Sequence, residues 1–269
     1  MKKTLIEKNN GIVQLTLVDE RWYIDTNSKT PKFVPSVTWI AGYYPKGIAF
    51  YKWLAEKGWD EAEAVKVAAG EKGSKVHTAI VDLVDGKTVS MDSKYVNPTT
   101  NKEEELTVEE YECVLAFSGW FKKVQPKVLA REVTVFDDKY NYAGTIDFVC
   151  EIAGEIWILD FKTGQNVWPE YELQVSAYKN TFKGVKSIEI HKGKEVEVMK
   201  SVTRLGILQV GYKRNKDGYK FNEVEDKFDL FLAAQKIWKN ECEGKEPLQK
   251  EYPESVSLGI EIKDDEVPF

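Results

Sequence analysis

The chain has 269 residues, 42% of them hydrophobic and 30% charged, with a formal net charge of −6. This fits a soluble globular protein of one large or two small domains, long enough for a sizeable core. No uncharged apolar stretch approaches the ~20 residues of a membrane span, so no membrane partner is expected. The apolar run in "MKKTLIEKNN" is too short for a signal peptide. The three cysteines, Cys113, Cys150 and Cys242, are far apart and free of CxxC spacing, which argues against a disulfide framework or structural zinc and for a reducing, cytoplasmic setting.

The charge is uneven. Residues 251–269 hold six acids and one lysine, which leaves the rest of the chain close to neutral, at 37 basic against 38 acidic residues. Within that remainder "YKRNKDGYK" (212–220) and "HKGKEVEVMK" (191–200) are rich in lysine. Local patches of this kind, rather than the total, decide contact with phosphate. Solvated lysines on exposed hairpins would look the same, so charge leaves the partner open.

In chain order, the pattern predicts two short strands over 11–19 and 21–25, then a helical segment after Ser36 with a break near Pro45 and a second helix over 47–57. A helix over 60–85 carries "KGSKVHTAI" and with it His77. A polar loop around Asn97 and Pro98 leads to a helix over 107–124, opened by Thr107 with Glu110 three residues on, the signature of a capping box. Strands follow over 129–137, 142–152 and 155–162, then a helix over 169–181, strands over 186–191, 195–200, 204–213 and 219–224, and a last amphipathic helix over 226–241. Helices and strands in mixed order predict an α/β (α+β) fold, a mixed β-sheet flanked by helices.

The stretch "WILDFKTG" (157–164) places Asp160 and Lys162 at the mouth of an apolar strand, where charged groups are seldom fully buried. If Ala153-Gly154 forms a hairpin loop, Ile152 pairs with Glu155, Val149 with Ile158, Asp147 with Asp160 and Thr145 with Lys162. Strand geometry then puts Asp147, Asp160 and Lys162 on one face, with Phe148 and Phe161 on the other. Directly opposed carboxylates, with Cβ atoms ~5 Å apart, destabilise a sheet unless a cation lies between them. An oxygen-rich cleft suits Mg²⁺ or Mn²⁺. Beside it, Lys162 can orient or help deprotonate a water and neutralise charge developing on a phosphate. The alternative is a structural Asp160–Lys162 salt bridge on an edge strand.

Three further features bear on that choice. Gln174 and Tyr178 in "YELQVSAYK" stand four apart on one helix face and can reach back over the cleft as amide and phenol donors. His77 is one of two histidines in the chain, and Glu132 occupies the strand before the hairpin. With Asp147, Asp160-x-Lys162, Gln174-xxx-Tyr178 and a helix histidine at His77, the chain resembles the RecB-type branch of the PD-(D/E)XK nucleases. The likeness is densest in "EVTVFDDKYNYAGTIDFVCEIAGEIWILDFKTG", and "VPSVTWI…FYKWL…KGSKVH" is similar to the branch containing the mitochondrial genome maintenance exonuclease; together they cover roughly residues 34–182.

The resemblance implies a restriction-endonuclease-like core with an N-terminal helical elaboration, in one nuclease domain over 1–250. Its parts would be N-terminal strands and helices over 1–125, a catalytic core over 126–182, and C-terminal strands and a helix over 183–245. It implies His77, Asp147, Asp160 and the backbone carbonyl of Phe161 as metal ligands, and Asp147, Asp160 and Lys162 as the catalytic set. Gln174 and Tyr178 would position substrate, with Glu132 in support. The implied activity is Mg²⁺- or Mn²⁺-dependent hydrolysis of DNA, by an exonuclease on single-stranded ends or flaps in replication, repair or recombination. A structure-specific endonuclease is the alternative, and a DNA-binding or assembly module that has lost catalysis is a third reading. Several RecB-type nucleases hold an iron–sulfur cluster on four cysteines; this chain has three, none suitably placed, which predicts that it holds none.

The aromatics between 36 and 59 could serve as stacking platforms for single strands or as ordinary core of a helix pair. The acidic tail over 251–269 ends in "IKDDEVPF", which resembles the C-terminal tip of bacterial single-stranded DNA-binding proteins. It could dock on a replication or recombination protein through Phe269 and its carboxylate, compete with DNA for the enzyme's own groove, or merely solubilise the chain.

Overall fold

The protein is described here by a computed structural model. Described residues are 4–8, 11–17, 20–27, 29, 32–182, 188–190, 194–196, 202–244 and 247. The acidic tail over 251–269 and most of the lysine-rich stretch over 191–200 lie outside them.

The fold is built around one hairpin. Strands β8 (Tyr142–Ile152) and β9 (Glu155–Lys162) flank Ala153 and Gly154. Both turn residues have positive φ, 52° and 83°, the signs a type I′ turn requires. The register runs from Ile152 opposite Glu155 to Phe148 opposite Leu159, as the sequence predicts. Strand β7 (Lys127–Asp137) adds antiparallel to β8, β12 (Arg204–Val210) adds parallel to β9, and β13 (Tyr219–Val224) adds antiparallel to β12. The result is a five-stranded mixed sheet in the order β13-β12-β9-β8-β7. The parallel β9–β12 pair needs a long crossover, which contains α5 (Pro169–Phe182).

Both faces of this sheet are covered, which is why β9 reads as an almost unbroken apolar run. Ile156 and Ile158 join a core with α1 (Val37–Ala41), α5 and α6 (Phe228–Cys242). Trp157, Leu159 and Phe161 point the other way, into a core with α3 (Trp59–Val84) and α4 (Val108–Val124). The α4 start carries the expected box: Thr107 Oγ1 accepts the Glu110 N–H, and a Glu110 carboxylate oxygen accepts the Thr107 N–H at 2.8 Å. The other Glu110 oxygen meets Lys75 Nζ at 2.9 Å, tying α4 to α3 through a pair in which each residue is only 4% exposed.

The N-terminal region differs from the sequence reading. Instead of two strands and helices alone, it holds a four-stranded antiparallel sheet of β1 (Thr4–Lys8), β2 (Ile12–Thr16), β3 (Arg21–Asp25) and β4 (Phe33–Pro35). Leu15 and Trp22 pack into the α1–α5–α6 core, and a parallel bridge from Ser36 to Ala143 ties this sheet to β8. The expected polar loop contains the small pair β5 (Lys94–Val96) and β6 (Glu103–Glu105). Three-residue strands, one of them all glutamate, leave no periodic trace in a sequence. Strands β10 (Ile188–Ile190) and β11 (Lys194–Val196) pair with each other.

Helix α2 (Ile48–Lys57) has no buried residue and rests on α3. The aromatics of 36–59 therefore divide: Trp39, Tyr43 and Tyr44 pack on the core, while Tyr51 and Trp59 stay 53% and 71% exposed. No helix among the described residues is long and apolar enough to cross a membrane.

Removing one member of a buried ion pair strands the other. Glu110→Gln keeps an oxygen for the Thr107 N–H but leaves Lys75 only the partly exposed Glu104, 3.4 Å away. Urea unfolding should show a loss of about 2–3 kcal/mol, and about 1 kcal/mol for the cap variant Thr107→Ala.

Candidate active site

The β7–β8 register pairs Arg131 with Phe148 and Val133 with Ile146, which sets Glu132 across from Asp147. The β8–β9 register, carried one step past Phe148–Leu159, sets Asp160 on the other side of Asp147. On its far side Asp160 pairs with Ile207 of β12. Three carboxylates thus share one row across three neighbouring strands. The sheet is irregular at this row. Ile146 packs in the α1–α5–α6 core and Phe148 in the α3–α4 core although they are only two residues apart, so strand alternation breaks at Asp147. Opposite it, Glu132 has φ 48°, a left-handed conformation that is uncommon for a residue with a Cβ and typical of functional sites.

At the break, side chains take over bonds that a regular ladder would make. Asp147 Oδ2 accepts the Phe161 N–H at 2.8 Å, and Asp147 Oδ1 lies 3.6 Å from His77 Nδ1. His77 Nε2 is 3.0 Å from the Phe161 carbonyl oxygen, and its ring meets the Phe161 ring edge-on. His77 comes from α3 and is held in place by its neighbours Lys75, Val76, Ala79 and Ile80, all buried. His77, Glu132 and Asp147 each offer one ligand atom, all within 4.8 Å of one another and all partly exposed. One imidazole nitrogen with two carboxylate oxygens is a fitting donor set for a divalent cation, and the carboxylates favour Mg²⁺ or Mn²⁺.

Asp160 stands beside this group, 1% exposed. Lys162 Nζ lies 2.5 Å from its Oδ2, closing a largely buried ion pair. Burial raises the Asp160 carboxyl to about 6, with Lys162 opposing the rise and Asp147 adding to it. For Lys162, burial favours the neutral amine, but the Asp160 and Asp147 carboxylates outweigh it and hold the ammonium charged, above its usual range. The Lys162 ammonium also sits 4.6 Å from the centroid of the Tyr171 ring on α5.

The structure groups the expected site residues differently from the sequence reading. His77 and Asp147 come together, but their third partner is Glu132, expected only to support substrate. Asp160 is engaged with Lys162, and the Phe161 carbonyl faces His77. Seeing Glu132 required the β7 register, which shifts between Val128 and Ala130 at an irregularity no sequence pattern marks. Gln174 and Tyr178 do share a helix face, but Gln174 Nε2 donates to Tyr178 Oη at 3.0 Å, and both side chains are buried. The Tyr178 ring lies against Gly144, where a Cβ would come within 2.5 Å of it. Burial lifts the Tyr178 phenol well above its usual range, so it stays protonated. Two residues escaped the sequence reading. Tyr171 precedes Gln174 by three and shares its face. Tyr23, buried on β3, donates to Gln14 Oε1 at 3.1 Å and lies 3.0 Å from Thr145 Oγ1; no local signal links it to a site over 100 residues away.

Two outcomes follow from the strained and buried carboxylates. Glu132→Gly and Glu132→Ala both remove the carboxylate, but only alanine keeps a Cβ in the left-handed region. The glycine variant should be more stable by about 1 kcal/mol in urea unfolding, reversing the usual order within strands. Because the folded-state value of Asp160 lies above the ordinary 3.8, its ionisation costs stability, and the cost develops as pH rises from 3.8 to about 6. In metal-free melts the stability of the wild type relative to Asp160→Asn should therefore fall as pH rises from 4 to 8.

The chain matches no protein-family model and no curated protein. Among solved structures it is similar to the crystal structure of an alkaline exonuclease (LHK-Exo) from Laribacter hongkongensis, with 10% sequence identity over 77% of this chain and 87% of that one, at a TM-score of 0.37. A likeness that remote carries no argument about activity, which rests on the residues of the site.

Proposed function

We propose that this chain is a divalent-metal-dependent DNA nuclease with a PD-(D/E)XK core, working as an exonuclease on single-stranded ends or flaps. The observation that supports it most is the carboxylate row Glu132, Asp147 and Asp160, with His77 at one end and the Lys162 ammonium at the other. A structural salt bridge explains Asp160 and Lys162 alone; it explains neither the histidine beside Asp147 nor the left-handed Glu132.

His77, Glu132 and Asp147 would hold the cation, with Asp160 adjoining. Bound there, it supplies Lewis-acid polarisation of a phosphoryl oxygen and a lowered pKa for a nearby water. Lys162, kept charged by its two carboxylates, donates to a phosphate oxygen and offsets the negative charge that grows there as the bond to the leaving group breaks. Asp147 fixes the Phe161 peptide, and with it the direction of the strand between Asp160 and Lys162. The buried Gln174–Tyr178 pair lines the same end of the sheet and keeps it rigid while substrate docks. A preference for single strands is supported by the exposed Tyr51 and Trp59 rings, since stacking on aromatic faces needs unpaired bases.

Digestion of end-labelled single strands with Mg²⁺ or Mn²⁺, with and without EDTA, tests the reading. Linear strands should shorten from an end, circular strands should survive, and EDTA should stop the reaction. Asp147→Asn, Asp160→Asn and Lys162→Ala should each cut the rate by about 10²-fold or more. Wild-type cleavage by Asp160→Asn would remove the assignment, and opening of circles would make the enzyme an endonuclease.

A further inference from the structure

The Lys162 ammonium has two near neighbours of opposite kind. Asp160 Oδ2 lies at 2.5 Å, and the face of the Tyr171 ring has its centroid at 4.6 Å. The lysine side chain is 19% exposed, so water shares only part of its solvation. Asp160 alone would draw the ammonium down to the floor of the site and away from anything bound above it. A second carboxylate could hold it higher, but would add negative charge beside His77, Glu132 and Asp147 and compete for the same cation. An aromatic face attracts an ammonium through its quadrupole and brings no formal charge.

Tyr171 is itself fixed. It is half-buried and packs on the α1–α5–α6 core, and its N–H bonds the Trp168 carbonyl at 3.0 Å. The residues on either side of it are tethered to distant elements: Glu170 by an ion pair with Lys46, Glu172 by one with Lys227. The first turn of α5 is thus clamped from both sides around this ring. Burial raises the Tyr171 phenol and Lys162 opposes that rise, as a nearby cation must.

We propose that Tyr171 is a positioning residue that sets where the Lys162 ammonium stands, through the face of its ring and not through its hydroxyl. The inference rests on the nuclease reading for what Lys162 does, but the contact is independent of it. Tyr171→Phe keeps the ring face; Tyr171→Leu keeps bulk and removes it, with Tyr171→Met as a second flat-chain control should the leucine variant not fold.

The full-length protein is measured in two ways. In the metal-free protein, the Lys162 Hε resonances, identified by their loss in Lys162→Ala, should be shifted upfield by the ring in wild type and Tyr171→Phe and return to ordinary values in Tyr171→Leu and Tyr171→Met. In Mg²⁺, kcat on an end-labelled single strand should fall about tenfold in Tyr171→Leu at unchanged KM, the worth of one partly desolvated cation–π contact. It should recover to within about twofold in Tyr171→Phe, and Tyr171→Leu should add nothing in a Lys162→Ala background. Unshifted Lys162 resonances in the wild type, or a leucine variant that cleaves like the wild type while Lys162→Ala does not, overturn the proposal. A wild-type protein that cleaves no strand under any metal overturns the nuclease reading instead, and the resonances still decide the contact.

Discussion

Like charge held close together in a sheet is the constraint from which the rest of the architecture follows. At an effective dielectric near 20, two unit charges ~5 Å apart repel by about 3 kcal/mol. That is a large part of the net stability of an ordinary domain. Each carboxylate therefore has company. Asp160 has the Lys162 ammonium, and Asp147 has the Phe161 N–H and the His77 ring. Asp160 is the least satisfied of these, its shifted carboxyl recording that the lysine does not repay the loss of water. A cation attracted to the row would relieve what the polypeptide leaves unrelieved.

Such a row survives only if the scaffold cannot relax away from it. Strand β9 is clamped by apolar side chains on both faces, so Asp160 cannot swing out without uncovering Ile158 or Leu159. The Lys75–Glu110 pair secures α3 two residues before His77, and the same glutamate closes the α4 cap. Helix α5 crosses the other face and delivers Tyr171, Gln174 and Tyr178 from one stripe. Rigid elements on each side thus carry the polar groups to the one place where the strands part.

Much of this was legible in the sequence because it is local. Ala153-Gly154 sets the hairpin register, period-2 alternation assigns the faces, Thr107 and Glu110 mark a helix start, and the i, i+4 spacing of Gln174 and Tyr178 puts both on one side. What was hidden is long-range or irregular. Glu132 joins His77 and Asp147 only after a register shift in β7, and its positive φ belongs to a residue type that gives no hint of one. Tyr171 is identifiable only once Lys162 is seen to turn toward α5 and not stretch into water. Half of the N-terminal sheet leaves little trace in the sequence because β4 has only three residues and β1, though as long as β2, lacks the Val13, Leu15, Leu17 alternation that marks β2. Nothing in the sequence divides the aromatics of 36–59, whereas burial separates them into two sets.

Helix α2 has a consequence of a different kind. A helix with no buried residue, whose main neighbour among the described elements is α3, is held by little beyond its own hydrogen bonds. A ten-residue helix is too short to persist in water by propensity alone. Its amides should therefore open at a lower free energy than those of α4, which buries Cys113, Val114, Phe117 and Trp120. The chain thus places Tyr51, on one of its most cheaply rearranged helices, in the same molecule as a site whose groups are locked from both faces. Stiffness is therefore unevenly shared: α2 can rearrange at little cost while the carboxylate row keeps its geometry.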